Sequence, residues 1–94
     1  MDFGDAIRSL KKGLKVARAG WNHKDKFLWL KPSSVIKAEW CKDPMLRNIA
    51  EENGGEIDGR EVICLYLTVN GRPTILTGWS PIPCDVLAED WELR

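Results

Sequence analysis

The residue types that could do chemistry in this chain of 94 residues are those that bind a flat, charged ligand. Two tryptophans, Trp21 and Trp79, each follow a glycine at the predicted end of a strand. A nucleotide-like ligand needs such a ring for stacking, a cation for its phosphates, and short polar groups for base edges and ribose. Side chains of these types stand near the two tryptophans in the sequence: Arg18, Asn22, Lys31, Arg72, Thr74 and Ser80. They are candidate ligand residues, although each also fits a plain role as a surface charge or a turn residue.

Catalysis has weaker support in the sequence. An enzyme needs a nucleophile with a base, a metal, or a tuned acid and base pair, and the one histidine, His23, lies in a polar turn. Asp85, Glu89 and Asp90 could form the paired carboxylates of a hydrolase, but capping and surface roles also explain them. No glycine-rich phosphate loop of the usual spacing is present. The sequence therefore favours binding and predicts no catalytic residue.

The charge balance is even overall and uneven along the chain. Lys plus Arg and Asp plus Glu both number 14, so no global positive field favours DNA or an anionic membrane surface. Residues 1–31 nevertheless hold eight basic and three acidic side chains. This excess fits either neutralisation by the acidic remainder or a dedicated anion site.

The cysteines and the hydropathy pattern exclude several classes of protein. Cys41, Cys64 and Cys84 are odd in number and widely spaced, so they indicate neither a disulfide framework nor a metal site, and we expect small buried thiols. No apolar run reaches the roughly 18 residues of a membrane span, and the N-terminus has no signal-peptide pattern. A soluble cytoplasmic protein without a cofactor is expected.

The N-terminal half predicts one helix and one hairpin. Asp2 can cap a helix that ends before Gly13 and buries the apolar face made by Ala6, Ile7 and Leu10. Residues 14–18 alternate as a strand does, and residues 27–30 form a short apolar strand that should pair with it. Residues 31–42 predict nothing regular, and their expected inward side chains are Ile36, Trp40 and Cys41.

The C-terminal half predicts a second helix and a second hairpin. Asp43 and Pro44 are typical of a helix start, and residues 53–55 end that helix. Its expected buried stripe is Leu46, Ile49 and Ala50. After a polar loop to residue 60, strands over 62–69 and 74–79 flank Asn70-Gly71, a type I′ turn signal. Pro73 requires that the second strand begin beyond it or lie on an edge.

The last predicted segment, residues 78–91, closes the core. Trp79 and Trp91 would pack on it, and Asp85 would cap a single turn through Leu87 and Ala88. Hairpins joined by helices give an α+β class: a small antiparallel sheet of two hairpins plus two helices, in a single domain over residues 1–94.

Three blocks of this sequence carry a resemblance to a known family. They are MDFGDAI at residues 1–7, GLKVARAGWN at residues 13–22, and Gly78-Trp79 followed by DVLAEDW at residues 85–91. Together they resemble small phage and prophage anti-Thoeris sponge proteins of the first type described, which bind cyclic ADP-ribose isomers made by bacterial immune TIR enzymes and do not cleave them. Family members commonly continue Gly-Trp with Ala, Ser and Gln, whereas residues 80–84 here read SPIPC.

The resemblance implies homodimers that enclose the ligand at the subunit interface, in the cytoplasm of the infected or lysogenic host. It also implies, for some members, trimers of dimers with a second site for cyclic di- or trinucleotides. With this ligand, Trp21 or Trp79 would stack on adenine, and Arg18 and Arg72 would meet the phosphates. Ribose hydroxyls would be held by Asn22, Ser80 and Asp85. The second site would use Lys11, Lys12 and Lys15, which also fit a solvated face.

Two other functions remain open at this point. A small interaction module that blocks a host protein would use Trp29 and Trp40 as interface anchors. A nucleotide hydrolase would convert cyclic ADP-ribose isomers instead of holding them.

Overall fold

The computed structural model describes all of residues 1–94, and its elements fall into two compact units. The sheet unit comprises Met1–Lys31 and Val62–Arg94, and the hairpin unit comprises Pro32–Glu61. Three α-helices accompany antiparallel sheets of five and two strands, which confirms the α+β class.

The helices are α1 (Phe3–Lys11), α2 (Pro44–Glu52) and α3 (Pro83–Leu87), and one 3-10 turn covers Ala38–Trp40. The strands are β1 (Val16–Arg18), β2 (Phe27–Lys31), β3 (Ser34–Lys37), β4 (Glu56–Gly59), β5 (Val62–Val69), β6 (Arg72–Thr77) and β7 (Trp91–Leu93). None of these helices is long and apolar enough to cross a membrane.

The sheet unit is built on a five-stranded sheet in the order β6-β5-β2-β1-β7. Both predicted hairpins, β1-β2 and β5-β6, are present, and β2 joins them by pairing with β5 from Phe27↔Tyr66 to Lys31↔Val62. The sequence did not predict β7, which extends the sheet by pairing with β1. The C-terminal segment is therefore an edge strand as well as a cover for the core.

Helix α1 covers one face of this sheet, as predicted. The Asp2 carboxylate accepts from the Asp5 N–H at 2.8 Å and the Asp5 carboxylate accepts from the Asp2 N–H at 3.2 Å, which is a capping box. The helix buries Ala6 and Leu10 against a core whose other buried members are Val16, Leu28, Leu65 and Trp91. Because Val16, Leu28 and Leu65 are register partners, their side chains share this face.

The β5-β6 hairpin turns at Asn70-Gly71, where φ is 51° and 77°, as a type I′ turn requires. Its second strand was misplaced by two residues: β6 begins at Arg72 and ends at Thr77. Pro73 is tolerated inside β6 because this strand is the edge of the sheet, where a missing N–H breaks no ladder. Trp79 lies beyond the strand, and its N–H donates to the Ile63 carbonyl at 2.8 Å.

The hairpin unit contains structure that the sequence analysis missed. Strands β3 and β4 pair antiparallel from Ser34↔Gly59 to Lys37↔Glu56, where an irregular segment and a polar loop were expected. Helix α2 was predicted correctly. The Asp43 carboxylate accepts from the Met45 N–H at 3.0 Å, and the helix ends at Asn53.

Burial in the hairpin unit is thinner than expected. Ala50 is buried and Leu46 is half-buried, but Ile49 is 39% exposed and Trp40 is 70% exposed, so the prediction that both lie inward is wrong. A unit of this size has too little structure to cover the whole apolar stripe of α2. All three cysteines are free, and Cys84 on α3 is exposed, contrary to prediction.

Candidate functional site

Four of the predicted ligand residues surround Trp91 in the sheet unit. The Trp91 ring is 2% exposed, and the rings of Trp21 and Trp79 meet it edge-to-face with centroids 5.6 Å and 6.2 Å away. Phe3 adds a tilted ring at 5.5 Å, and the Trp91 indole N–H donates to the Asp85 carbonyl at 2.9 Å. These rings, Phe3, Trp21, Trp79 and Trp91, are called the Trp91 cluster below. The cluster closes the core, as predicted for Trp79 and Trp91, while Trp21 and Trp79 stay half-buried.

Arg18 fastens the C-terminal segment to β1 through two carboxylates. Its Nε donates to Asp90 Oδ1 at 2.9 Å and its Nη1 to Asp85 Oδ1 at 3.1 Å. The Gly20 N–H donates to the other Asp90 oxygen at 3.0 Å. Asp85 also accepts from the Ile82 N–H at 3.1 Å, so it caps α3, but as the third residue of a helix that begins at Pro83. Charge-assisted bonds of this kind are the stronger ones in proteins.

The same contacts set the chemistry of the two carboxylates. The hydrogen bond from Arg18 lowers the pKa of Asp90, and the bonds to Asp90 and then Asp85 raise the pKa of the Arg18 guanidinium. A general acid needs a pKa raised toward neutral pH, which is the opposite shift. Asp85 and Asp90 are thus arranged as ion-pair partners of Arg18. The Arg18 charge is correspondingly engaged, and its predicted contact with a phosphate stays a prediction.

The Trp21 ring also has a cation on one face. Lys26, which the sequence analysis did not select, places its Nζ 4.4 Å from the ring centroid. A cation-π contact of this kind leaves one face of the indole covered. An adenine could stack on that face only by displacing the ammonium, which would then lie beside the bound ligand.

The remaining predicted residues lie elsewhere in the sheet unit. Arg72 and Thr74 are on β6, three strands from β1, or about 14 Å at the usual strand spacing. Strand alternation puts Lys31 on the face opposite Leu28 and Arg18. Asn22 and Ser80 are exposed in the segments after Trp21 and Trp79. The predicted ligand set is therefore divided, and only Arg18, Trp21, Trp79 and Asp85 meet at the Trp91 cluster.

The face of the sheet that α1 does not cover carries a groove of about 360 Å³. It is lined by Gly13, Lys15, Phe27, Trp29, Tyr66 and Ile75, and we call it the aromatic groove. Phe27 and Tyr66 are stacked at 4.8 Å with 19° between their planes, and Trp29 lies 6.0 Å from Phe27. The sequence analysis missed this surface because it treated residues 27–30 as one apolar strand. Separating alternate side chains would have placed Phe27 and Trp29 together, opposite the buried Leu28.

The predicted lysines for a second anion site are only partly together. Lys11 and Lys12 are exposed at the end of α1, whereas Lys15 lines the aromatic groove, with its Nζ 4.9 Å from the Phe27 centroid. Of the three lysines, Lys15 is the one with a ring beside it.

Comparison with known proteins identifies the family. The model of the Thoeris anti-defense 2-like domain (Tad2-like) matches residues 1–94, the whole chain. The chain belongs to the Thoeris anti-defense 2-like family. One relative is "Thoeris anti-defense 2" of Bacillus phage SP01, which is 31% identical over 100 residues, covering 99% of this chain and 93% of the relative.

Membership in this family confirms the resemblance to anti-Thoeris proteins. The matched model carries the number 2, so it replaces the expectation of the first type described. Membership supports an anti-defense role against Thoeris, and the relative is a phage protein.

Proposed function

We propose that this protein is a sponge that binds cyclic ADP-ribose-type signalling nucleotides and holds them without cleavage. The observation that carries the proposal is the match to the Thoeris anti-defense 2-like family over the whole chain. The sheet unit supports it with half-buried rings beside cations: Trp21 under Lys26, and Phe27 under Lys15. Such pairs suit a ligand that combines a base with a pyrophosphate.

Holding the ligand, as opposed to turning it over, is supported by the state of the carboxylates. Asp85 and Asp90 are both hydrogen-bonded to Arg18, and the pKa of Asp90 is lowered. In this proposal the protein acts in the cytoplasm of the infected or lysogenic bacterium, as a homo-oligomer that encloses its ligand between subunits. Cyclic di- or trinucleotides at a second site are a further proposed ligand class.

The proposal is tested by capture and release. The purified protein is incubated with enzymatically made cyclic ADP-ribose isomers, freed of unbound ligand by filtration, and denatured by heat, and the released nucleotide is analysed by mass spectrometry. We expect intact ligand to be released on denaturation only. A linear or hydrolysed product would instead indicate an enzyme, and an empty filtrate would remove these isomers as ligands.

A second candidate function is a protein-binding module, which the exposure of Trp40 favours. Trp40 is 70% exposed in the hairpin unit, and Lys37 Nζ lies 4.8 Å from its ring centroid. Large exposed aromatic rings are common anchors of protein interfaces. If this function holds, Trp40→Ala should abolish anti-Thoeris protection in cells while leaving nucleotide capture intact. Protection that survives the substitution would exclude Trp40 as an anchor.

A further inference from the structure

We propose that the aromatic groove, and not the Trp91 cluster, is the surface that binds the base and a phosphate of the nucleotide. This inference rests on the proposed function and assigns it a site. The groove lies within the sheet unit, on the face opposite α1, and its side chains come from β2, β5, β6 and the segment before β1.

The rings of the groove form an ordered row. Phe27 and Tyr66 are register partners and stack on each other at 4.8 Å, and Tyr66 is in turn the register partner of Ile75. The other side of Phe27 receives Lys15 Nζ at 4.9 Å. Trp29 and Tyr66 are half-buried and Ile75 is 57% exposed, so they present apolar surface to solvent. Aromatic side chains on the open face of an antiparallel sheet are a common platform for nucleobases.

The charge around these rings is suited to an anion. Lys15 is the charged member of the groove lining, which holds no carboxylate. Lys31 follows Trp29 by two residues, so strand alternation puts it on the same face. A base stacked on the rings would therefore have cations within reach for its phosphates.

The acidic side chains nearest to this face already have partners. Glu92, on β7 opposite Ala17, accepts from Arg94 Nη2 at 3.1 Å. Asp25 accepts from the Thr68 hydroxyl, which lowers the pKa of Asp25. Their negative charge is thus held at the two margins of the face and does not line the groove.

The volume of the groove fits a ligand of nucleotide size. About 360 Å³ lies within the range of small-molecule sites, which usually span roughly 300 to 1,000 Å³. The Trp91 cluster is less available, because Arg18 is bound to two carboxylates and the Trp91 ring is 2% exposed.

The test compares two groove variants with a matched control, using cyclic ADP-ribose as the probe in titration calorimetry. Lys15→Gln removes the cation over Phe27, and Tyr66→Leu removes a ring but keeps an apolar strand residue. The control, Lys37→Gln, removes the corresponding lysine over Trp40 in the hairpin unit. Each variant is also examined by circular dichroism and light scattering, so that folding and subunit association are known.

We expect Lys15→Gln to weaken binding by about 10- to 100-fold, as loss of a charged hydrogen bond does. Tyr66→Leu should weaken it by roughly 5- to 100-fold, through loss of stacking. Tyr66→Phe should retain most of the affinity, and Lys37→Gln should match the wild type.

Two results would overturn the inference. Unchanged affinity in both groove variants would move the site away from this face while leaving the proposed function in place. Loss of binding together with dissociation of subunits would make the groove a contact with a second copy of the chain. If the wild type binds no cyclic ADP-ribose isomer, the proposed function fails first and the inference with it.

Discussion

At the scale of single residues, the structure separates side chains that hold the fold from those that remain open to a partner. Arg18 and Asp85 were both selected as ligand residues, and they are bonded to each other. Trp91 was expected to close the core, and it does so with its indole N–H satisfied. A sequence shows that an arginine or a tryptophan is present but not which contacts it makes, because those partners lie 67 residues and six residues away.

Replacement of Trp91 measures how much the core depends on this ring. Trp91→Ala removes a ring that is 2% exposed and leaves a cavity, so we expect a loss of roughly 3 to 5 kcal/mol in the free energy of unfolding. Trp40→Ala is the matched control, because Trp40 is 70% exposed, and it should change stability by about 0.5 kcal/mol or less. Urea unfolding followed by circular dichroism would measure both. Equal effects would contradict the assignment of the core.

The ion pair between Arg18 and Asp90 predicts a pH dependence. The pKa of Asp90 is below its ordinary value of 3.8 in the folded chain, so this carboxyl stabilises the fold above about pH 3.8. That contribution is lost as the pH falls through the lowered pKa. Stability of the wild type should therefore fall more steeply than that of Asp90→Asn on acidification from about pH 5 to about pH 2. Parallel curves from urea unfolding at each pH would show that the ion pair contributes nothing.

At the scale of elements, local signals predicted what is local. The capped helices α1 and α2 and the β5-β6 hairpin were found because caps, glycines and the Asn70-Gly71 turn act over a few residues. Strands β3, β4 and β7 were missed because each is only three or four residues long and is defined by its partner. Pairing of β7 with β1 joins residues more than 70 positions apart, which no local pattern encodes.

The turn of the β5-β6 hairpin can be tested directly. Gly71 has φ of 77°, a conformation that costs a side chain of ordinary chirality about 1 kcal/mol or more. Gly71→Ala should therefore destabilise the fold by about that amount. Asn70→Gly, at the other turn position with positive φ, should change it by less, because glycine accepts this conformation. Thermal unfolding of the two variants would show whether the turn has the type I′ geometry.

At the scale of the whole molecule, burial is concentrated in one of the two units. The sheet unit contains the core cluster of Ala6, Leu10, Val16, Leu28, Leu65 and Trp91, whereas the apolar residues buried in the hairpin unit are Ala38 and Ala50. The candidate surfaces follow the same division, since both the Trp91 cluster and the aromatic groove belong to the sheet unit. Composition and periodicity predicted the fold class but not this division, because burial depends on which elements pack together.

Native-state hydrogen exchange would measure the division. Amides of β2 and β5 lie at the centre of the five-stranded sheet, so we expect them to be the most protected. Amides of β3 and β4, in a two-stranded sheet with little buried apolar surface, should exchange faster. Uniform protection across both units would instead mean that the chain opens only as a whole.

The two ends of the five-stranded sheet bear on how the protein behaves when it is abundant. A protein that holds its ligand one-for-one must be made in amounts comparable to those of the ligand, and concentrated β-proteins risk growth into fibres by edge-to-edge pairing. Here one edge strand, β6, contains Pro73, which removes a backbone donor, and the other, β7, is three residues long. Both features limit the addition of a further strand. The sheet can thus expose its flat aromatic face at high concentration while its margins resist polymerisation.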